Sequence, residues 1–252
     1  LGFHVLYRGR NDDVEVVSVE VGTWAPGVVA SLTRVGPFEV AESSATPLRI
    51  TDDSEQLEEL HDLAAQAAPL ARPRYAYKLV YIDSRGDDYV VLDGIRFTSR
   101  ILRKNVLETD RAFAAVASCG PELELWSETL HDPLYQYWSE ALRIQALAAA
   151  SARLVEAIDT LFKPGHIAGM NPGSLTDWPI SEQRPFFKLL GDTEAAIGVK
   201  LQPSLLMWPT KSASTLFFPT SSDFQSCQLC PRERCPNRRA PYQANKMSEY
   251  FA

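Results

Sequence analysis

DPLYQYWSEALRIQALAAASARLVEAIDTLFKPG, Asp132 to Gly165, carries the start and stop signals of one long helix. Asp132 and Pro133 supply an N-cap and a first-turn proline, and Lys163-Pro164-Gly165 supplies the stop. Between them the helix runs about 29 residues, roughly 43 Å at 1.5 Å per residue. Leu134, Trp138, Ala141, Leu142, Ala148, Ala149, Ala152, Val155 and Ile158 give it a wide apolar face, rich in alanine where another backbone comes close. We read it as the spine of the fold.

Working outward, DDSEQLEELHDLAAQAA from Asp52 pairs an N-cap candidate, Asp52, with Glu55 three residues on. Leu57, Leu60 and Leu63 follow along one face, so the segment is an amphipathic helix. Leu70 to Arg74 punctuates its end. The stretch YAYKLVYIDSRGDDYVVLDGIRF then alternates strand formers around Ser84-Arg85-Gly86-Asp87, which predicts a hairpin over 76–92. A helix-turn region leads on to AFAAVASCG, ending at Gly120.

Composition narrows the function classes. The 252 residues are 45% hydrophobic and 23% charged, enough to bury a substantial core as one large domain or two small ones. A net charge of -7 argues against a nucleic-acid partner, because phosphate binding wants a basic surface and the arginine-rich patch here is local. No uncharged apolar run reaches 18 residues, and LGFHVLYRGR lacks the pattern of a secretory leader, so no membrane span and a cytoplasmic location are expected.

Three of the four cysteines fall within nine residues, in FQSCQLCPRERCPNRRAPY from Phe224 to Tyr242. Cys227, Cys230 and Cys235 form C-x2-C-x4-C, with prolines after Cys230 and Cys235 stiffening the loop. Three thiolates fit three corners of a four-iron, four-sulfur (4Fe-4S) cluster, with Cys119 beside Gly120 and Pro121 as the fourth ligand. Zinc and free thiols are the alternatives, and zinc needs a second ligand pair that does not follow Cys235. The alternative for Cys119 is a small buried thiol at a strand end. Arg232, Arg234, Arg238 and Arg239 offset cluster charge, or form a solvated loop or a patch for an acidic partner.

Other residues read as structural. His4, His61, His131 and His166 have no metal or nucleophile spacing, and the carboxylates Glu122 and Glu124 read as solvated groups at a helix start.

From Ile167 the chain places Pro172-Gly173, Trp178-Pro179, Phe186 to Leu190, Ile197-Gly198, Leu201, and Met207-Trp208-Pro209 with Ser212 and Ser214. In that order and spacing the segment resembles the reactivation domain of cobalamin-dependent methionine synthase. VLDGIRFTSRILRKNV and CGPELE before the long helix resemble stand-alone relatives of that domain. The resemblance covers about two thirds of the chain. With the hairpin and late strands around Leu205 to Met207 and Thr215 to Phe218, it predicts an α/β (α+β) fold. A twisted, largely antiparallel sheet would pack against the long helix, over an activation-domain-like region 76–252 with the cysteine loop at 224–242. Residues 1–75 would form an N-terminal α/β portion.

The resemblance implies a service to a corrinoid methyltransferase, such as a split methionine synthase, whose cobalamin sits on the partner protein. It also implies a flavodoxin- or ferredoxin-type electron donor, and a cofactor-facing cleft with Trp178, Trp208, Ser174, Ser212 and Ser214, with core packing the alternative role for at least one of the two tryptophans. The family's S-adenosylmethionine motif is Arg-x-x-x-Gly-Tyr. Here Gly169 stands at the arginine and Ser174 at the tyrosine, so adenosylmethionine binding is expected to be weak or absent. Two classes follow: an iron–sulfur component that reactivates a corrinoid enzyme, or a metal-stabilised, non-redox module that docks on a corrinoid protein or binds a small methylated substrate.

Overall fold

The computed structural model describes residues 16–17, 28–33, 54–235 and 238–251. Asp52, His4, the amino-terminal segment and the side chains of Glu55 and Leu57 lie outside the described residues. In chain order come β1 (Val16–Val17), β2 (Val28–Thr33), α1 (Ser54–Ala67), β3 (Arg74–Arg85), β4 (Tyr89–Leu92) and β5 (Ile95–Thr98). They are followed by α2 (Arg100–Asn105), β6 (Arg111–Ser118), α3 (Pro121–Glu128), α4 (Pro133–Phe162) and β7 (Ile167–Met170). The last elements are α5 (Gln183–Leu190), α6 (Thr193–Ile197), β8 (Lys200–Leu201), β9 (Met207–Trp208), β10 (Ser212–Pro219) and α7 (Ala244–Phe251).

Six strands line up as β1-β2-β3-β6-β10-β7, every neighbouring pair antiparallel, with β4 and β5 folded out from the far end of β3. The mixed fold with an antiparallel sheet and one long helix is the one expected. The sheet is continuous through Tyr75, which pairs Ser31 on one side and Ala117 on the other.

Strand β6 sits in the middle and is apolar on both faces because both faces are covered. Side chains alternate across a strand, so Ala112, Ala114 and Val116 face one layer and Phe113, Ala115 and Ala117 the other. The first layer holds α2, α5 and the β4–β5 hairpin, through Leu102, Phe186 and Phe97. The second is α4, through Ala150, Leu154 and Ile158. A third cluster joins α1, α3 and the start of α4 through Leu60, Leu63, Leu123 and Trp138.

The ends of α4 follow the sequence signals. The Asp132 carboxylate accepts the Leu134 N–H at 2.7 Å, and Lys163 closes the helix in the left-handed region with φ of 44°. Its buried stripe differs from the expected one: Trp138, Leu142, Ala146, Ala150, Leu154 and Ile158 face inward, with Ser139 and Arg143 beside them. Leu134, Ala148, Ala152 and Val155 are exposed. An alanine-rich helix is apolar on several faces at once, and the fourth-residue row that fits the sheet is chosen by packing.

Candidate functional site

The sheet is covered unevenly. Helix α4 packs chiefly over β3 and β6, so the same face of β10 and β7 is left as a half-open shelf. Along β10, Ser214, Leu216 and Phe218 point to the closed side and are buried, whereas Thr215 and Phe217 are half-buried. Along β7, Ala168 and Met170 are buried, and Ile167 and Gly169 are half-buried. Gly169, paired with Phe217, therefore belongs to the shelf. A Cβ added there would meet Thr215 Cγ2 at 2.9 Å and the Phe217 ring at 3.3 Å. At Gly169 the shelf carries no side chain, and Thr215 and Phe217 occupy the space beside it.

A tight turn after β7 ties the shelf to α5. The Asn171 side-chain amide donates to the Ser214 carbonyl at 2.6 Å and to Thr215 Oγ1 at 2.7 Å. Gln183 donates to Ser214 Oγ at 2.8 Å, and Ser174 Oγ donates to the Asn171 carbonyl at 2.8 Å. Gly173, with φ of +91°, lets its N–H reach the Trp178 carbonyl at 2.8 Å. Asp177 receives the Ser99 hydroxyl and the Ile101 N–H, holding the start of α2.

The five residues assigned to the cleft separate in space. Trp178 is 0% exposed and lies edge-on to Phe97 and Phe186 in the closed layer. Ser214 is buried there too. Ser212 donates to the Pro209 carbonyl at 2.7 Å and accepts from the Ser118 hydroxyl at 2.9 Å. Ser174 is exposed at its turn. Trp208 is half-buried in the small β8–β9 sheet, with Lys200 Nζ 5.2 Å from its ring centre.

At the other end of the shelf, Arg143 and Glu124 form an ion pair at 2.8 Å, 7% and 3% exposed. Thr210 donates to the second Glu124 oxygen at 2.6 Å. Two charges taken from water are sustained by pairing and hydrogen bonds together. This corrects the reading of Glu122 and Glu124 as solvated: Glu122 pairs with Arg74, and Glu124 lies on the helix face turned to α4. A cleft of about 450 Å³ opens beside the pair, with Glu128, Tyr137 and Glu140 at its walls.

The cysteine loop lies against the outer edge of β7. Ser226 Oγ donates to the Gly169 carbonyl at 3.5 Å, and Phe224 packs on Phe218. Arg238 turns inward, its guanidinium donating to the carbonyls of Cys227 at 3.1 Å, Cys230 at 3.4 Å, Ala240 at 3.4 Å and also Arg232. The Arg239 backbone N–H approaches Cys227 Sγ at 3.4 Å. Helix α7 straps the loop from behind, with Lys246 Nζ on Gln228 Oε1 at 2.9 Å. The loop brings together three half-buried thiols, a backbone N–H to one sulfur and a guanidinium on its carbonyls, groups of the kind that an iron–sulfur cluster takes as ligands and outer partners. Among the described residues, however, no three His, Cys, Asp or Glu side chains are arranged to hold a metal ion.

Cys119 is not brought to this loop. It follows β6 in the alternation of Phe113, Ala115 and Ala117, and is buried with Leu123 and Trp138 under α4, whereas Cys230 packs on the opposite layer. The sheet stands between them. Burial first, and the Glu124 charge second, push the Cys119 thiol up to about 12. At pH 8 it therefore holds roughly a thousandfold less thiolate than a thiol at the ordinary 9.0. Ellman titration of the metal-free native protein should count the three loop thiols quickly and Cys119 only after denaturation; rapid labelling of Cys119 would contradict its placement. The folded state also binds this proton more tightly than the unfolded one. Its contribution to stability is therefore complete below about pH 9 and is lost as the pH rises toward 12.

Sequence reasoning missed Asn171, Gln183, Arg143 and Thr210. The signal for the first was its place between Met170 and the Pro172-Gly173 turn, where a short amide caps a strand end. Arg143 gave none, since its partner is 19 residues away on another helix.

No family profile matches the chain, and no curated protein does. Among solved structures it is similar to the crystal structure of the MetH reactivation domain bound to AdoHcy, at 19% identity and a TM-score of 0.53. The match covers 75% of this chain and 70% of that one. With the antiparallel sheet, the long helix and the strand order on the page, the chain carries the fold of the MetH reactivation domain.

Proposed function

We propose that the chain serves corrinoid-dependent methyl transfer, acting on a partner protein that carries cobalamin, such as a methyltransferase or split methionine synthase. The observation that carries this reading is the fold shared with a domain seen bound to AdoHcy. The ordered motifs from Pro172 to Ser214, which lie on the turn, α5 and β10 around the shelf, support it.

Within that reading, Cys227, Cys230 and Cys235 hold an iron–sulfur cluster, with the fourth position left to a group other than Cys119. Such a cluster carries single electrons when bound. Arg238 fixes the loop carbonyls and Arg239 presents its N–H to Cys227, so both set the ligands' orientation. A flavodoxin- or ferredoxin-type donor supplies the reducing electron. Adenosylmethionine is held weakly: Gly169 offers no guanidinium, and Ser174 is engaged with Asn171. Losing such a charge pair costs about 2–5 kcal/mol, which turns micromolar binding into roughly millimolar.

Anaerobic purification with iron and sulfide analysis tests the assignment. We expect broad visible absorption in the native chain, lost in Cys230→Ser together with reduction of Co(II) on an added corrinoid protein. A colourless, iron-free chain, or a variant that keeps its iron, overturns the ligand assignment. The second reading, a non-redox binding module, rests on the shelf itself, where Ile167, Phe217 and Thr215 offer an apolar surface with one hydroxyl to a small methylated molecule. Zinc in place of iron would favour it.

A further inference from the structure

The four loop arginines do not share one job. Arg238 is consumed inside the loop by carbonyl groups. Arg232, Arg234 and Arg239 are exposed, and none forms an ion pair among the described residues. Tyr242, three residues after Arg239, is 44% exposed, and Glu233 is the single acid among the described residues of the loop. Arginine and tyrosine are the residue types that anchor protein interfaces. This patch is cationic on a chain of net charge -7, and its backbone is fixed by Arg238, by the reciprocal Gln225–Gln228 contacts and by α7. A pre-ordered surface loses little freedom on binding.

We propose that Arg232, Arg234, Arg239 and Tyr242 form a docking surface for an acidic protein. It would seat the partner directly over the cysteine loop. That the partner is a one-electron carrier rests on the functional reading above; the charge complementarity does not. The surface is a protein site because a nucleic acid would meet an acidic molecule beyond a patch only a few residues wide.

The test measures association of the whole chain with a purified flavodoxin of net negative charge. In the native protein, affinity should weaken at least about tenfold between roughly 20 and roughly 200 mM salt. The triple variant Arg232→Gln, Arg234→Gln, Arg239→Gln should bind about tenfold more weakly at low salt and show little salt dependence. Its melting temperature should be unchanged, since Arg239 contributes its backbone N–H to Cys227. Equal binding by the triple variant, no binding by the native chain at low salt, or equimolar displacement by a DNA duplex would each overturn the proposal. Reactivation of a corrinoid protein with titanium(III) citrate as reductant is scored separately. A chain that binds flavodoxin through these arginines yet fails there sinks the functional reading and leaves the docking surface standing.

Discussion

Methionine in place of Arg143 should destabilise the fold by about 3–5 kcal/mol, the loss expected when one partner of a buried ion pair is removed. Glu124 would keep Thr210 alone, on a side chain 4% exposed. The attraction between the two charges matters less here than the desolvation of the one left behind, because an unpaired buried carboxylate has no water to turn to. For a chain of this size the melting temperature should fall on the order of 10 °C. Adding Glu124→Leu to Arg143→Met should recover most of the loss, since it removes the stranded charge. A single variant melting within about 2 °C of the native chain would show that water reaches Glu124, and that the cleft at its side extends beneath the pair.

An effect of similar size, about 3–5 kcal/mol, is expected for Trp178→Ala. The indole lies 6.3 Å from the Phe97 ring and 6.1 Å from Phe186, nearly perpendicular to both, and has no exposed surface. Removing it empties a space walled by three elements, β5, the turn after β7 and α5, which cannot collapse together without breaking the Asp177 contacts to α2. Trp178→Phe keeps an aromatic edge for both neighbours and should lose much less. The pair of variants also decides what Trp178 does. A tryptophan that touches ligand would show altered binding in Trp178→Phe at nearly native stability. One that supports the turn would show binding intact in Trp178→Phe and stability lost in Trp178→Ala. An alanine variant as stable as the native chain would remove Trp178 from the core.

Much of this fold could be read in the chain, because its strongest signals are local. Asp132, Pro133 and Lys163 mark the ends of α4 through capping, which depends on a few neighbours only. The β3–β4 hairpin lies where Ser84 to Asp87 put it, with Gly86 accepting the close approach of Tyr89. What escaped was orientation. Arg143 occupies a buried row of α4, and an apolar count cannot nominate a charged residue. Cys119 was legible in part: the alternation Phe113, Ala115, Ala117, Cys119 puts it on one face. Only the tertiary structure shows that the cysteine loop belongs to the other. Trp178 followed the motif in order and spacing, but spacing carries no information on which way an indole points.

The contact between Ser226 and Gly169 has a meaning for solubility as well as for the site. β7 ends the row of strands, and an uncovered terminal strand presents free N–H and C=O groups on which a second molecule can build. The cysteine segment lies over that margin, held by Phe224 on Phe218 and by the strap of α7. The same loop that gathers thiols thus acts as a guard rail along the last strand of the row.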